Sequence, residues 1–277
     1  ETRPSGRRSL TTENGLYRQE KNLHHRWRGR IASVERFFRF ICYNEVRKPK
    51  GEMTMQRTKL KDRTLPDYSR GEELMNTITH IAGAVLGVAA LVLCILEAAS
   101  KGNIWGVVGS CIYGASMIAL YCVSSVYHGM KSGMGKKVMQ IIDHCTIYLL
   151  IAGTYTPILL SSIRPQYPEI AWAILAAEWI LAAIAAVFTA IDHEHYKRFS
   201  MVCYIGMGWL IVLALKPTLI CVGLDGFLLL LFGGISYTIG AVLYGIGKKK
   251  PVYHTVFHLF VVLGSILQAL CVLIYVV

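Results

Sequence analysis

Five polar side chains lie inside or at the edge of apolar segments, and their types could bind a metal ion and support hydrolysis. They are Ser124, His128, Asp143, His254 and His258. Polar residues are expensive inside a bilayer, so they usually have a function there. Histidine is a common ligand of zinc. Because residues four apart share one helix face, the spacing predicts two polar faces, one with Ser124 and His128 and one with the other two histidines.

Long apolar segments surround these residues. The chain has 277 residues, of which 54% are hydrophobic. A helix needs about 20 apolar residues to cross a bilayer, and backbone groups in lipid must be hydrogen-bonded within the segment. The predicted fold class is therefore an all-α membrane protein with seven transmembrane helices, at approximately 75–98, 104–128, 138–160, 170–191, 200–216, 226–246 and 252–277.

Lysine and arginine in the loops predict the orientation, because cytoplasmic loops carry more of them. With the N-terminus in the cytoplasm, the inner loops hold eight such residues: Lys131, Lys136, Lys137, Lys197, Arg198, Lys248, Lys249 and Lys250. The outer loops hold three: Lys101, Arg164 and Lys216. The bias predicts a cytoplasmic N-terminus and, with seven spans, a C-terminus outside.

This topology brings the five polar residues to one depth in the cytoplasmic leaflet. The second span descends to the cytoplasm and ends with Ser124 and His128. The third span rises from there with Asp143 in its first turns, and the seventh rises with His254 and His258 in its first two turns. The orientation was deduced without these residues, so their agreement in depth supports a shared site.

Three neutral imidazoles and one open position make a zinc site of the catalytic type, so we predict Zn²⁺ bound by His128, His254 and His258. Zinc lowers the pKa of bound water to about 7. Asp143 could hold that water as a general base or coordinate the metal through it. Ser124 could hydrogen-bond a metal ligand or a bound carbonyl. Asp143 and Ser124 are therefore the catalytic candidates.

Four other histidines receive different predictions. His80 lies in the same cytoplasmic zone, with Asn76 one turn earlier, and is the next candidate for a polar role near the site. His144 follows Asp143 directly and is expected to point about 100° away from it. His193 and His195 lie in a charged loop and are expected to be solvated.

Most of the net charge of +12 lies before the first span. Residues 1–70 carry a net charge of +10, and residues 71–277 carry +2. We predict a basic, disordered tail at 1–70 and a seven-helix domain at 71–277. The first methionines are Met53 and Met55, so we expect a native start at one of them and a non-native extension at 1–52. The tail has no nucleic-acid-binding motif, so its charge is assigned to orientation or to anionic lipid.

Four segments carry a family resemblance. Residues 73–80 (ELMNTITH), 124–128 (SSVYH), 143–157 (DH followed by IAGTYTP) and 254–260 (HTVFHLF) occur in order. Together they resemble hemolysin III proteins, the bacterial branch of the progestin and adipoQ receptor group, to which alkaline ceramidases are more distantly similar. The resemblance covers 71–277 and does not reach 1–70.

The resemblance implies the same seven-helix fold, zinc on the matching histidines, lipid-amide hydrolysis and a bacterial plasma membrane. From the residues and the resemblance we expect a zinc-dependent hydrolase of a lipid amide or ester, with membrane lipids as partners. Two alternatives stay open: a membrane sensor or receptor with structural zinc, and a cytolytic pore protein. Small residues in the spans favour close helix packing, within one chain or between copies.

Overall fold

The computed structural model describes residues 57–247 and 252–277, with side chains described to 245 in the first range. Every regular element in these residues is helical. Seven α-helices follow one another within these described ranges: α1 (Arg70–Ser100), α2 (Ile104–Gly129), α3 (Met134–Pro157), α4 (Pro168–Asp192), α5 (Lys197–Gly208), α6 (Leu215–Gly247) and α7 (Val252–Cys271). The predicted non-native extension at 1–52 and most of the predicted tail lie outside the described residues.

Local sequence signals explain where the helices begin. Ser69 caps α1 through a reciprocal capping box, in which its hydroxyl accepts from Glu72 N and the Glu72 carboxylate accepts from Ser69 N. Asn103 caps α2 by accepting from Gly106 N at 2.8 Å. Pro168 occupies the first turn of α4. Backbone N–H groups in a first turn have no acceptor within the helix, so the N–H that proline lacks is not needed there.

Three interruptions before α7 depart from α-helical geometry, and a further π-helical segment, Val272–Val276, continues α7 after Cys271. A π-helical segment, Ile158–Ile163, directly continues α3 after Pro157. A 3-10 segment, Leu210–Ala214, joins α5 to α6. Within α6, Gly223 has φ 77°, a conformation in the left-handed region that glycine tolerates best. All three lie in apolar parts of the chain.

Six helical segments in the described residues are long and apolar enough to cross a membrane. Five correspond singly to predicted spans. The sixth, Lys197–Gly245, has 49 residues and contains both 200–216 and 226–246. Large hydrophobic side chains such as Val85, Ile180 and Val242 are more than half exposed on these helices, as expected of surfaces that face lipid.

The bundle positions α1 against both α2 and α7. The end of α2 and the start of α7 are far apart in sequence, and α1 packs against both helices. α3 packs between α2 and α4, and together with its π-helical continuation it is the most buried of the six membrane-length segments in the described residues. This packing accounts for the presence of several polar residues on α3.

The segment 57–69 runs across one end of the bundle before α1 begins. Thr58 N donates to Asp192 Oδ2 at 2.8 Å, and Arg57 Nε donates to Ile191 O at 2.6 Å. Arg63 is buried and also donates to Ile191 O, at 3.3 Å. These bonds tie the segment to the end of α4 and lead the chain to Tyr68, next to the start of α1.

Close approach of α2 and α3 depends on Gly109. A Cβ atom added there would lie 2.6 Å from Pro157 Cα, a backbone atom that cannot rotate away. We expect Gly109→Ala to lower the free energy of unfolding by about 1–3 kcal/mol through overpacking. Thermal unfolding in detergent checks this. Gly234→Ala is the matched control, because an added Cβ there meets nothing within 4 Å; equal stability of the two variants would contradict the prediction.

Candidate metal centre

Two helix ends bring three histidines together. His128 lies in the last turn of α2, and His254 and His258 lie in the first two turns of α7. The i,i+4 spacing directs the two α7 rings to the same side of that helix. All three side chains are buried, with His128 and His258 at most 2% exposed. The predicted meeting of these three residues is confirmed.

The three rings direct the same nitrogen toward one point. His254 Nε2 lies 3.4 Å from His128 Nε2 and 3.1 Å from His258 Nε2. A neutral imidazole nitrogen offers one N–H or one lone pair, so His254 Nε2 cannot satisfy both neighbours through its own proton. A cation that accepts a lone pair from each ring would satisfy all three.

The spacing of the nitrogens fits a metal ion. Ligands about 2.0–2.1 Å from a tetrahedral ion lie about 3.3 Å from one another. The two measured separations, 3.1 and 3.4 Å, bracket that value. The buried cluster of His128, His254 and His258 could therefore hold a metal ion with little rearrangement.

Glu73, on α1, orients the His128 ring. Its Oε2 atom lies 2.6 Å from His128 Nδ1, so the carboxylate accepts the Nδ1–H and leaves the Nε2 lone pair directed at the other rings. Lys136 Nζ donates to the second oxygen, Glu73 Oε1, at 2.5 Å. A salt-bridged carboxylate favours one tautomer of His128, the one that can ligate through Nε2.

Two further rings stack on the cluster. The Tyr68 ring lies 5.0 Å from that of His254, at an interplanar angle of 23°. The His80 ring lies 3.8 Å from that of His258, at 26°. Burial, the largest cause, and nearby tyrosines and carboxylates raise the pKa of Tyr68 well above its ordinary value, so it remains a neutral phenol. Neutral aromatic faces exclude water without adding charge.

A cavity of about 360 Å³ adjoins the cluster. Ser124 and Asp143 line it together with His254 and His258. Ser124 is buried, and the Asp143 side chain keeps 14% of its surface exposed. Both catalytic candidates therefore border the same space as two of the three histidines.

The remaining histidines have separate environments. His144 Nδ1 lies 2.7 Å from Gln140 O and its Nε2 lies 3.0 Å from the Tyr244 hydroxyl, so neither ring nitrogen joins the cluster. The predicted solvation of His193 is wrong: it is 3% exposed, and its ring packs 4.1 Å from that of His144. Asp192 holds both the loop and the segment 57–69, because its carboxylate accepts from His195 N at 3.1 Å and from Thr58 N at 2.8 Å. His195 is exposed.

Three residues that contact the histidines or their partners were not among the predicted site residues. Glu73, Lys136 and Tyr68 come from positions that looked like interfacial charge or tail. One signal was present: Glu73, Asn76 and His80 recur at helical spacing along one face of α1. Asn76 Nδ2 lies 3.4 Å from His128 Nδ1, so this polar face of α1 points at the site.

The fold and the cluster define a class: a multi-pass, all-helical integral membrane protein with a buried three-histidine group that could bind a metal ion. The model of the family described as "Haemolysin-III related" matches residues 68–269. The chain belongs to this family, and its bacterial relatives indicate a plasma-membrane location.

Similar proteins come from bacteria and animals. Hemolysin-3 of Bacillus cereus is 42% identical over 205 residues, which cover 74% of this chain and 92% of that protein. A hemolysin-3 homolog of Bacillus subtilis (strain 168) is 40% identical over 204 residues, 74% of this chain and 94% of that protein. The human monocyte to macrophage differentiation factor is 30% identical over 201 residues, 69% of this chain and 78% of that protein.

The orienting role of Glu73 gives a direct test. Because Glu73→Gln loses the charge that favours the ligating tautomer of His128, we expect the affinity for a divalent metal to fall by about 10–100-fold. Competition with a chromophoric chelator measures it. Glu72→Gln is the matched control, because glutamine can replace glutamate in the capping box of α1. Equal affinity of both variants would show that Glu73 does not orient the ligand.

Proposed function

We propose that this protein is a zinc-dependent intramembrane hydrolase that cleaves an amide or ester bond of a lipid. The observation that carries the proposal is the buried group of three Nε2 atoms beside a cavity that Asp143 also lines. His254 Nε2 lies 3.4 Å from His128 Nε2 and 3.1 Å from His258 Nε2. Three protein ligands leave a coordination position for a reactant, which is the usual arrangement of catalytic zinc.

The donor set supports zinc as the metal. All three ligands are imidazoles, whereas calcium and magnesium prefer oxygen ligands. When bound, zinc supplies a Lewis acid that polarises a carbonyl and lowers the pKa of a coordinated water. His128, His254 and His258 would hold it, and Glu73 would keep His128 in the ligating tautomer.

Asp143 and Ser124 supply groups for proton transfer and orientation. The Asp143 carboxylate could take a proton from the attacking water and return it to the leaving amine or alcohol. The Ser124 hydroxyl could donate a hydrogen bond to the carbonyl of the bound lipid. Both line the cavity in which a scissile bond would have to lie.

The rest of the cavity suits an apolar tail. Its wall consists mostly of apolar side chains from α3, α5, α6 and α7, including Ile151, Ile205, Leu231 and Phe257. Apolar pockets with a few convergent polar groups are typical ligand sites. A bound lipid would place its polar amide or ester group beside the histidines and its apolar chain along this apolar wall.

We propose that the chain crosses the membrane seven times, with the N-terminus inside. At about 1.5 Å per residue, the 49-residue segment Lys197–Gly245 is about 73 Å long, more than twice a hydrocarbon core of about 30 Å. The turn at Gly223 divides it. Two crossings would put the start of α5 and the end of α6 on the same side, with the histidine cluster near the cytoplasmic face.

Lysine labelling tests this topology without any substitution. A membrane-impermeant amine reagent applied to intact cells should modify the exposed Lys216, because it would lie outside, and should spare Lys131 until the cells are permeabilised. Peptide mass spectrometry measures both. Protection of Lys216 in intact cells, or modification of Lys131 there, would contradict seven spans with a cytoplasmic N-terminus.

Purified protein tests the hydrolase. We expect about one zinc per chain by elemental analysis, and loss of that zinc in a variant with His128, His254 and His258 all replaced by Ala. Asp143→Asn should keep the zinc and lower the rate of lipid hydrolysis by about 100-fold or more, because it removes a general base. Ceramides and lipid esters in nanodiscs are the substrates to screen.

Matched controls separate metal loss from misfolding. His195→Ala changes an exposed histidine and should retain both zinc and activity. Absence of zinc from the parent protein would contradict the metal assignment. Zinc at full occupancy, with chelation lowering thermal stability and no turnover of any lipid, would instead favour a sensor with a structural metal.

The names of the bacterial relatives favour cytolysis as a second candidate function. Release of a dye from liposomes that contain only this protein would support it. If lysis persists unchanged after zinc removal and in the Asp143→Asn variant, pore formation is independent of the proposed hydrolase.

A further inference from the structure

Glu178 is a buried carboxyl group that the proposed hydrolase does not use. It lies near the middle of α4, in a membrane-spanning segment with mean hydropathy 2.2. The residue is 0% exposed, and neither carboxylate oxygen has a hydrogen-bond partner within the described part of the chain. Ionisable residues at such positions are rare and usually mark a proton or ion pathway.

The surroundings of Glu178 favour its neutral form. An ionised carboxylate without a partner in an apolar interior is so unfavourable that the group takes up a proton instead. No lysine or arginine pairs with Glu178 in the residues that the structure describes. The buried cluster that α3, α4 and α5 share has three titratable groups, Tyr148, Cys203 and Tyr204, and Tyr155 lies further along α3. All four are uncharged in their ordinary forms.

Two of the helix interruptions adjoin α4. The π-helical segment Ile158–Ile163 and the 3-10 segment Leu210–Ala214 both pack against this helix, and neither has a titratable side chain. Irregular backbone at membrane depth is tolerated only where protein or a cavity surrounds it. Transporters place ions and protons beside such broken helices.

Tyr155 bonds to the backbone at the 3-10 interruption. Its hydroxyl accepts from Ile211 N at 2.8 Å and donates to a carbonyl at the end of α5, Met207 O or Gly208 O, each 3.0 Å away. Trp179, the residue after Glu178, donates to Thr156 Oγ1 at 3.2 Å. The part of α4 that carries Glu178 therefore lies against the end of α3, where the π-helical interruption begins.

We propose that Glu178 is an intramembrane proton-binding site on the part of α4 that packs beside the interrupted helices. With the proton bound the carboxyl group is neutral, as its fully buried position without a hydrogen-bond partner in the described residues favours. Release of the proton leaves a carboxylate in the middle of a membrane-spanning helix, which the apolar surroundings oppose.

Two measurements on the full chain in nanodiscs test the site. Infrared spectroscopy should show a protonated-carboxyl C=O band at neutral pH that is absent from Glu178→Gln. The membrane-soluble reagent dicyclohexylcarbodiimide should label Glu178 about tenfold or more above Glu169, because an ordinary glutamate is almost fully ionised at pH 7. Glu169 is the matched control, exposed at the start of the same helix.

The pH dependence tests whether labelling reports the protonated carboxyl group. Labelling of Glu178 should decline as the pH is raised, because the carbodiimide reacts with the protonated form. Glu178→Gln should leave metal content unchanged, so this result is separate from that for the metal centre.

Three outcomes would overturn the proposal. One is a carboxylate band of Glu178 in place of the protonated band at neutral pH. The second is labelling of Glu178 no greater than that of Glu169. The third is protection from labelling by sodium ions at constant pH, which would make the site one for a metal cation.

Discussion

The grouping of three imidazole nitrogens is the interaction around which one end of the bundle is organised. His128 comes from the end of α2 and the other two histidines from the start of α7, helices that are far apart in sequence. α1 lies against both helices and stabilises their rings, through Glu73 on one side and His80 on the other. A metal ion would accept the Nε2 lone pair of each of the three histidines. The resulting bonds would fix the position of α7 relative to α2.

The bilayer imposes a second constraint, because backbone groups that leave the helical pattern need partners inside the protein. In the 3-10 segment between α5 and α6, the backbone N–H of Ile211 donates a hydrogen bond to the hydroxyl of Tyr155. In α6 the residue that tolerates the unusual backbone is Gly223. Buried polar groups in the spans differ in whether they have hydrogen-bond partners. The cluster around His128 is a connected network, whereas Glu178 is buried without a hydrogen-bond partner in the described residues.

Sequence reasoning predicted the positions of most helices and the three histidines, because apolar length and i,i+4 spacing are local properties. It missed Glu73 as the partner of His128, although Glu73, Asn76 and His80 share one face of α1. It missed Tyr68 because that residue precedes the first helix and reaches the site only through the path of the segment 57–69. It was wrong about His193, whose burial depends on how the loop after α4 folds back.

The sequence by itself therefore determined the membrane class, the helical character of the spans and the residue types available for a metal. Those follow from composition and spacing, which each segment carries alone. Only the tertiary structure decided which atom of each ring faces the others, which carboxylate orients His128 and which acid is left without a partner. These depend on the rotation of each helix about its axis. That rotation is set by close contacts such as Gly109 with Pro157, between residues distant in the chain.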